Sequence, residues 1–280
     1  MTRAVLLTSG AILCFAANSI LCRLALAPDL IDPASFTSLR ILSAVAMLTA
    51  GVWLKHRRLP RLARAKPRST TAVFIYLVFF SFAYTRLGAG TGALILIGGV
   101  QLTMFCIALI QGERFSLLSW CGFAIAIAGV LYLLLPGATA PDPIGAGLMA
   151  ISGAAWGFFT IFARGTEDPE ETNASNMLCC LLPAVVVNLF WLGAFHATWL
   201  GVGLSVVSGA IATGLGYIVW YLALRHLSSL QAATVQLSMP AIVALGGVIF
   251  LAESLTARLL IASAAMLGGI AVVLLRRPVK

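Results

Sequence analysis

Charge is scarce in this chain: Asp, Glu, Lys and Arg make up 10% of its 280 residues, against about 25% in an ordinary globular protein. Hydrophobic residues reach 61%, and mean hydropathy is +1.03. So little polar side chain cannot cover even one soluble domain, so the composition defines a membrane protein. Catalytic signatures are missing as well. H-E-x-x-H, G-x-S-x-G and C-x-x-C do not occur, and the glycine run Gly88 to Gly92 lacks the strand-turn-helix setting of a nucleotide loop. The six cysteines lie inside apolar runs, where a thiol acts as a small hydrophobe, so neither a disulfide framework nor a zinc site is implied. Neither an enzyme nor a metal or cofactor is expected.

What is present is apolar sequence in ten runs. A bilayer core of about 30 Å takes about 20 apolar helical residues, and backbone in lipid must satisfy its own hydrogen bonds. Ten transmembrane helices are therefore expected, near 4–26, 33–54, 70–88, 91–111, 115–135, 144–164, 173–195, 199–224, 229–251 and 256–275. Pro28 to Pro33, Pro136 to Pro143 and Thr166 to Thr172 supply turn chemistry between runs. The first run is expected to be retained as a span and not cleaved as a signal peptide, since it outruns an h-region, Arg23 adjoins the small-residue site, and further spans follow.

The net charge of +9 does not point to nucleic acid, because seven of the eighteen Lys and Arg (Lys55, Arg57, Arg58, Arg61, Arg64, Lys66, Arg68) fall in one loop between two runs. With the N-terminus in the cytoplasm, only Arg23, Arg40, Arg86 and Arg258 lie towards the outside. The positive-inside rule then places both termini in the cytoplasm.

Residues 98–135 nearly recur 140 positions later, at 238–275: Glu113 falls on Glu253, Ala124 on Ala264, Gly129 on Gly269 and Leu134-Leu135 on Leu274-Leu275. The halves are expected at 1–136 and 137–280. Each holds five spans, an odd number, so the second enters the membrane from the opposite side. The expected fold is an all-α membrane protein of two inverted five-helix repeats. Inverted repeats are a recurring construction of secondary transporters, which expose a midplane site alternately.

Candidate site residues follow from that frame. Gly98-Gly99 with Gln101 in the fourth span and Gln236, Ser238 and Pro240 in the ninth form a matched pair of expected interruptions, since Pro removes a helical N–H. Gly and Pro also serve plain packing in membrane helices. Asn18, Thr160 and Thr213 are polar at mid-depth and should face the bundle interior. Phe80 and Tyr84 continue a stripe begun by Tyr76, Tyr217 and Tyr221 form another, and Trp156 shares a helical face with Ser152 and Thr160. Some of these aromatics suit a cavity wall and others an interfacial belt. Glu113 and Glu253 stand at helix ends, where a hairpin or gate role is expected. No Asp or Glu and no His lies at mid-run, which points to passive, gradient-driven transport.

These residues resemble the ten-helix EamA-type transporters of the drug/metabolite transporter superfamily. The resemblance rests on Gly112-Glu113-Arg114 with Gly129-Val130-Leu131, the second copy Glu253 with Gly268-Gly269, Phe15-Ala16-Ala17-Asn18 running to Arg23, and Leu39-Arg40. It covers the whole chain and departs at Ala16, in place of Gly, and at Ala252. Within the superfamily the chain looks most like the YddG-type aromatic amino acid exporters. The resemblance implies export of aromatic and other neutral amino acids across a bacterial inner membrane, with broad selectivity. An exporter or facilitator of another metabolite or drug is the alternative. Small-molecule substrate and lipid are the expected partners, and an internally duplicated chain can build its pathway as a monomer.

Overall fold

The computed structural model describes residues 2–112, 115–137, 140–162, 166–227 and 235–275. Glu113, Arg114, Arg164 and the first residues of the expected ninth span, 229–234, lie outside them. Helices account for nearly all of the described chain: α1 (Thr2–Leu26), α2 (Pro33–His56), α3 (Pro67–Tyr84), α4 (Ala89–Ile110), α5 (Leu117–Leu134), α6 (Pro143–Phe162), α7 (Pro169–Cys179), α8 (Leu181–Trp191), α9 (Trp199–Val207), α10 (Gly216–Leu224), α11 (Met239–Leu251) and α12 (Ala257–Leu275). Ile31 and Ala197 form an isolated antiparallel bridge. Among the described residues, eight helical segments are long and apolar enough to cross a membrane. The protein is an all-α, multi-span membrane protein.

Helix starts follow the local chemistry. Asp32 accepts from the N–H groups of Ala34 and Ser35 while Pro33 opens α2, and Asp168 does the same for Glu171 ahead of Pro169. Asp142 accepts from Gly145 N–H at 2.7 Å beside Pro143. The expected span 173–195 begins earlier, at Pro169, and is broken: α7 ends at Cys179 and α8 starts at Leu181. Pro183 has no N–H to offer the carbonyl of Cys179, which accounts for the break. Between α9 and α10 the chain winds as a π-helix over Ser208–Leu215, a geometry concentrated at functional sites.

The expected paired interruptions are not alike. Helix α4 runs unbroken through Gly98-Gly99, where the missing side chain admits α6: a Cβ on Gly99 would meet the Ala150 carbonyl oxygen at 3.1 Å and Gly153 at 3.2 Å. This pair serves helix packing. The ninth run does break, because Leu237 and Ser238 form a turn and α11 begins only at Met239, with Pro240 in its first turn.

The packing has a recurring pattern. Helix α1 contacts α9, the π segment and α10, while α6 contacts α3. Helix α1 also contacts α11, while α6 contacts α4. The pairs α2 with α7, α4 with α11 and α5 with α12 also pack together, α2 lies against the π segment, and α7 against α3. Exchanging α1 to α5 with the helices from α6 onward maps these pairs onto one another. Gly122 and Gly269 bring α5 and α12 so close that a Cβ on either would strike the other's carbonyl oxygen. One end of the bundle is an ionic clamp. There Lys55 meets Asp168 at 3.3 Å and Glu170 at 2.9 Å, Arg225 also reaches Glu170, and Arg58 pairs with Glu171.

Candidate functional site: an aromatic cavity over a buried arginine

A small cavity of about 30 Å³, room for a water or two, lies among α1, α3, α4, α6, the π segment, α10 and the start of α11. Its wall is chiefly aromatic. Trp156 is the hub, with its ring centroid 4.7 Å from Tyr76, 5.6 Å from Tyr217 in a stacked arrangement, and 6.5 Å from Phe15 at a steep angle. Phe80 continues the wall, 5.3 Å from Tyr76. Offset and edge-on pairs of this kind contribute roughly 0.5–1.5 kcal/mol each beyond area burial. The wall is thereby held in one arrangement.

The polar lining is Asn18, Ser19, Thr213 and Gln236. Asn18 Oδ1 accepts from the Ser208 hydroxyl at 2.9 Å and from Thr213 Oγ1 at 3.5 Å, so the π segment is tied to α1 at this level. The extra residue of π winding brings Ser208 and Thr213 together on Asn18. Gly209 allows α2 to press against this segment, since a Cβ there would strike the Arg40 carbonyl and the Ser43 hydroxyl.

Directly behind this wall stands Arg40, one of the largest fully buried side chains among the described residues. Its Nε donates to Thr213 Oγ1 and its Nη2 to the Tyr76 hydroxyl, both at 3.3 Å. The guanidinium lies 4.8 Å from the Phe80 ring centroid and 5.6 Å from that of Tyr76. Arg40, expected among the few basic residues towards the outside, is fully buried within the bundle. The residue sits two turns inside α2, and its long stem carries the charge into the bundle centre. A sequence signal for this existed: an arginine within an apolar run is by default a functional hypothesis.

The structure brings together Asn18, Phe80, Trp156, Tyr217 and Gln236. Tyr84 is fully buried but stands below the cavity, 4.7 Å from Phe80, with its hydroxyl on the Ala89 carbonyl. Gln101 stands apart: it lines a separate, largely apolar groove of about 690 Å³ between α4, α5, α6 and α12. Ser238 is exposed and donates to the Val235 carbonyl at 2.7 Å, while Pro240 is buried in α11, whose Met239 reaches the cavity instead. Glu113 lies outside the described residues.

Glu253 marks a second locus, at the bundle end opposite the ionic clamp. It bonds Arg23 and the Ala89 N–H, and with Gly88, Thr91 and Ala244 it lines a void of about 380 Å³. Ala252 reaches the left-handed region, at φ 51°, to turn the carboxylate inward. Arg23 also donates to the Tyr84 carbonyl at 2.9 Å. Tyr84 thus connects this cluster to the cavity wall.

A polytopic helical bundle with an aromatic, weakly polar cavity at its centre and charged clusters at both ends defines a membrane transporter. The particular family is settled by sequence. The model of the EamA-like transporter family matches residues 2–135 and again 143–275, so the chain belongs to that family. Its members are transporters, and this chain is a secondary transporter of that type, not an enzyme. An uncharacterized protein of Pseudomonas aeruginosa is 46% identical over 275 residues, covering 98% of this chain and 96% of that protein. The uncharacterized transporter YwfM of Bacillus subtilis is 24% identical over 265 residues (89% and 86%), and an uncharacterized transporter of Archaeoglobus fulgidus 23% over 254 (88% and 90%). A solved crystal structure matches 97% of both chains with a TM-score of 0.65 at 19% identity, which shows a shared fold.

Proposed function

We propose that the protein exports amino acids, aromatic and other neutral ones, across a bacterial inner membrane by alternating access at the aromatic cavity. The observation that carries this reading is the Trp156-centred wall with Asn18 and Gln236 at its edge, a surface suited to small solutes with an apolar body and a polar head. Two family matches in one chain, and a set of helix pairs that map onto one another on exchanging the halves, support two inverted repeats, 1–136 and 137–280. In this reading ten spans leave both termini in the cytoplasm, a single chain suffices, and flux follows the solute gradient. Arg23, Glu253 and Tyr84 close the outer end. The test is counterflow of labelled phenylalanine, threonine and methionine into proteoliposomes loaded with the same amino acid. Exchange supports the reading. Its absence with all three, alongside exchange of an unrelated metabolite, moves the substrate class elsewhere.

A further inference from the structure

Arg40 carries a full charge at a depth where charge is costly, and the protein does little to neutralise it. Eight residues of helix, about 12 Å, separate it from Asp32, the nearest acid along α2. That carboxylate is occupied with the N–H groups of Ala34 and Ser35. Of the nine acidic residues all but Glu113 are described, and those eight lie in connections or at helix ends, with Arg40 in none of their ion pairs. Two neutral hydroxyls and two ring faces are what the guanidinium has. Cation–π contacts offset only part of the cost of burying an ion. Its third nitrogen, Nη1, is without a hydrogen-bond partner among the described residues.

A second unpartnered group stands at the same cavity. The Tyr217 hydroxyl is buried and also lacks a partner among the described residues. Tyr76, Phe80 and Thr213 each both touch Arg40 and line the cavity, so one layer of side chains separates the guanidinium from the solute space. A free donor on an uncompensated positive charge thus stands one side chain behind a space walled by aromatic rings, one of which carries the unpartnered Tyr217 hydroxyl.

We propose that Arg40 is the anion-recognition group of this transporter, and that the transported solute presents a carboxylate to it. Occupancy requires the Tyr76, Phe80 and Thr213 layer to part, since the closed cavity of about 30 Å³ holds no more than a water or two. The carboxylate then takes Nη1 of Arg40 and the Tyr217 hydroxyl, and the solute's apolar part lies against Trp156. A monoanion matches the single cation. A phosphate dianion calls for a second one, and among the described residues no Lys or Arg lines the cavity itself, Arg40 standing one side chain behind it. This rests on the reading of the cavity as the solute site, and it adds that the acid, not the amine, of an amino acid is what the protein recognises.

The test is equilibrium binding to the purified full-length protein of three probes with one ring system: phenylalanine, 3-phenylpropionate with the carboxylate alone, and 2-phenylethylamine with the amine alone. The expected result is that 3-phenylpropionate competes within about tenfold of phenylalanine and 2-phenylethylamine does not compete. Arg40→Gln should weaken both carboxylates by about 10- to 100-fold, the range of a hydrogen bond to a charged group, and Arg40→Lys should restore part of the loss. Thermal unfolding of each variant in detergent reports folding, and the wild-type probe series needs no variant. Equal competition by 2-phenylethylamine and 3-phenylpropionate overturns the proposal, as does carboxylate binding unchanged in a folded Arg40→Gln. Binding of 3-phenylpropionate without phenylalanine exchange defeats amino acid export and leaves the Arg40 assignment standing. No binding of any probe defeats both.

Discussion

Nε of Arg23 stands 3.2 Å from Oε1 of Glu253, and the other carboxylate oxygen accepts the Ala89 N–H at 2.8 Å. One side chain thereby ties the end of α1, the start of α4 and the link between α11 and α12. Both partners are about one-fifth exposed, at 20% and 23%, so the ion pair is worth about 1 kcal/mol, not the larger value of a dry pair. Glu253→Gln keeps an acceptor for Ala89 and removes the charge. If the pair is a gate, the open form gains about fivefold. A cysteine introduced at Thr91, which lines the same void, should then react about fivefold faster with a hydrophilic thiol reagent in a background lacking the native cysteines. An unchanged rate removes the gate role.

Trp156 touches Phe15, Tyr76, Phe159 and Tyr217, so Trp156→Ala removes the centre of the aromatic wall. Several aromatic pairs at roughly 0.5–1.5 kcal/mol each lead us to expect a fall in flux of at least about tenfold, with a lowered melting temperature. Tyr217→Phe is the informative contrast. Its hydroxyl has no partner among the described residues, so removing it should leave the melting temperature equal or higher. Stability and flux measured together separate wall packing from solute recognition.

The class of fold was readable from run length and charge placement, and residues 199–224 were expected with the bounds that α9, the π segment and α10 together occupy. Aromatic periodicity singled out Phe80 and Tyr217, and a face shared with Ser152 and Thr160 singled out Trp156; all three line the cavity, because in a helix bundle the faces that repeat at i and i+4 are the faces that meet. Gln101 was misjudged as part of the same site, since matching offsets in two repeats say nothing about which side of a helix faces the centre. Gly98-Gly99 reads as an interruption in one dimension and proves to be a packing surface in three. Arg40 shows the other limit. Its position along the chain did not settle its burial, whereas its long side chain carries the charge against Thr213, Tyr76 and Phe80. The π winding of 208–215 had no signal beyond a cluster of small residues.

Gly153 sits where α6 crosses α4, and a Cβ there would strike the Leu96 carbonyl, rigid backbone that cannot yield. Gly153→Val should separate the two helices and cost at least about 2 kcal/mol, within the range of overpacking a tight core. Gly147 is the control on the same helix, because a Cβ there meets nothing within 4 Å. Gly147→Ala should leave the melting temperature unchanged or raise it slightly, as expected for replacing glycine inside a helix. A Gly153→Val protein that melts like the wild type would show that α4 and α6 do not pack through their glycines.

Asp168 closes the opposite end of the bundle, where it caps α7 and meets Lys55 at 3.3 Å and His56 at 2.7 Å. Burial alone would raise its carboxyl pKa, but the Glu171 N–H and the Lys55 ammonium outweigh that and hold it below the ordinary value. A depressed folded-state pKa contributes stability that is complete above the unfolded value, near 4, and is lost as pH falls through the folded one. The wild-type melting temperature should therefore drop as pH is lowered below about 4. Asp168→Asn should cost about 1 kcal/mol at neutral pH, given its partial exposure, and show a shallower acid limb. Thermal melts of both proteins across this range decide the point: identical acid limbs would mean that the clamp does not depend on the Asp168 charge.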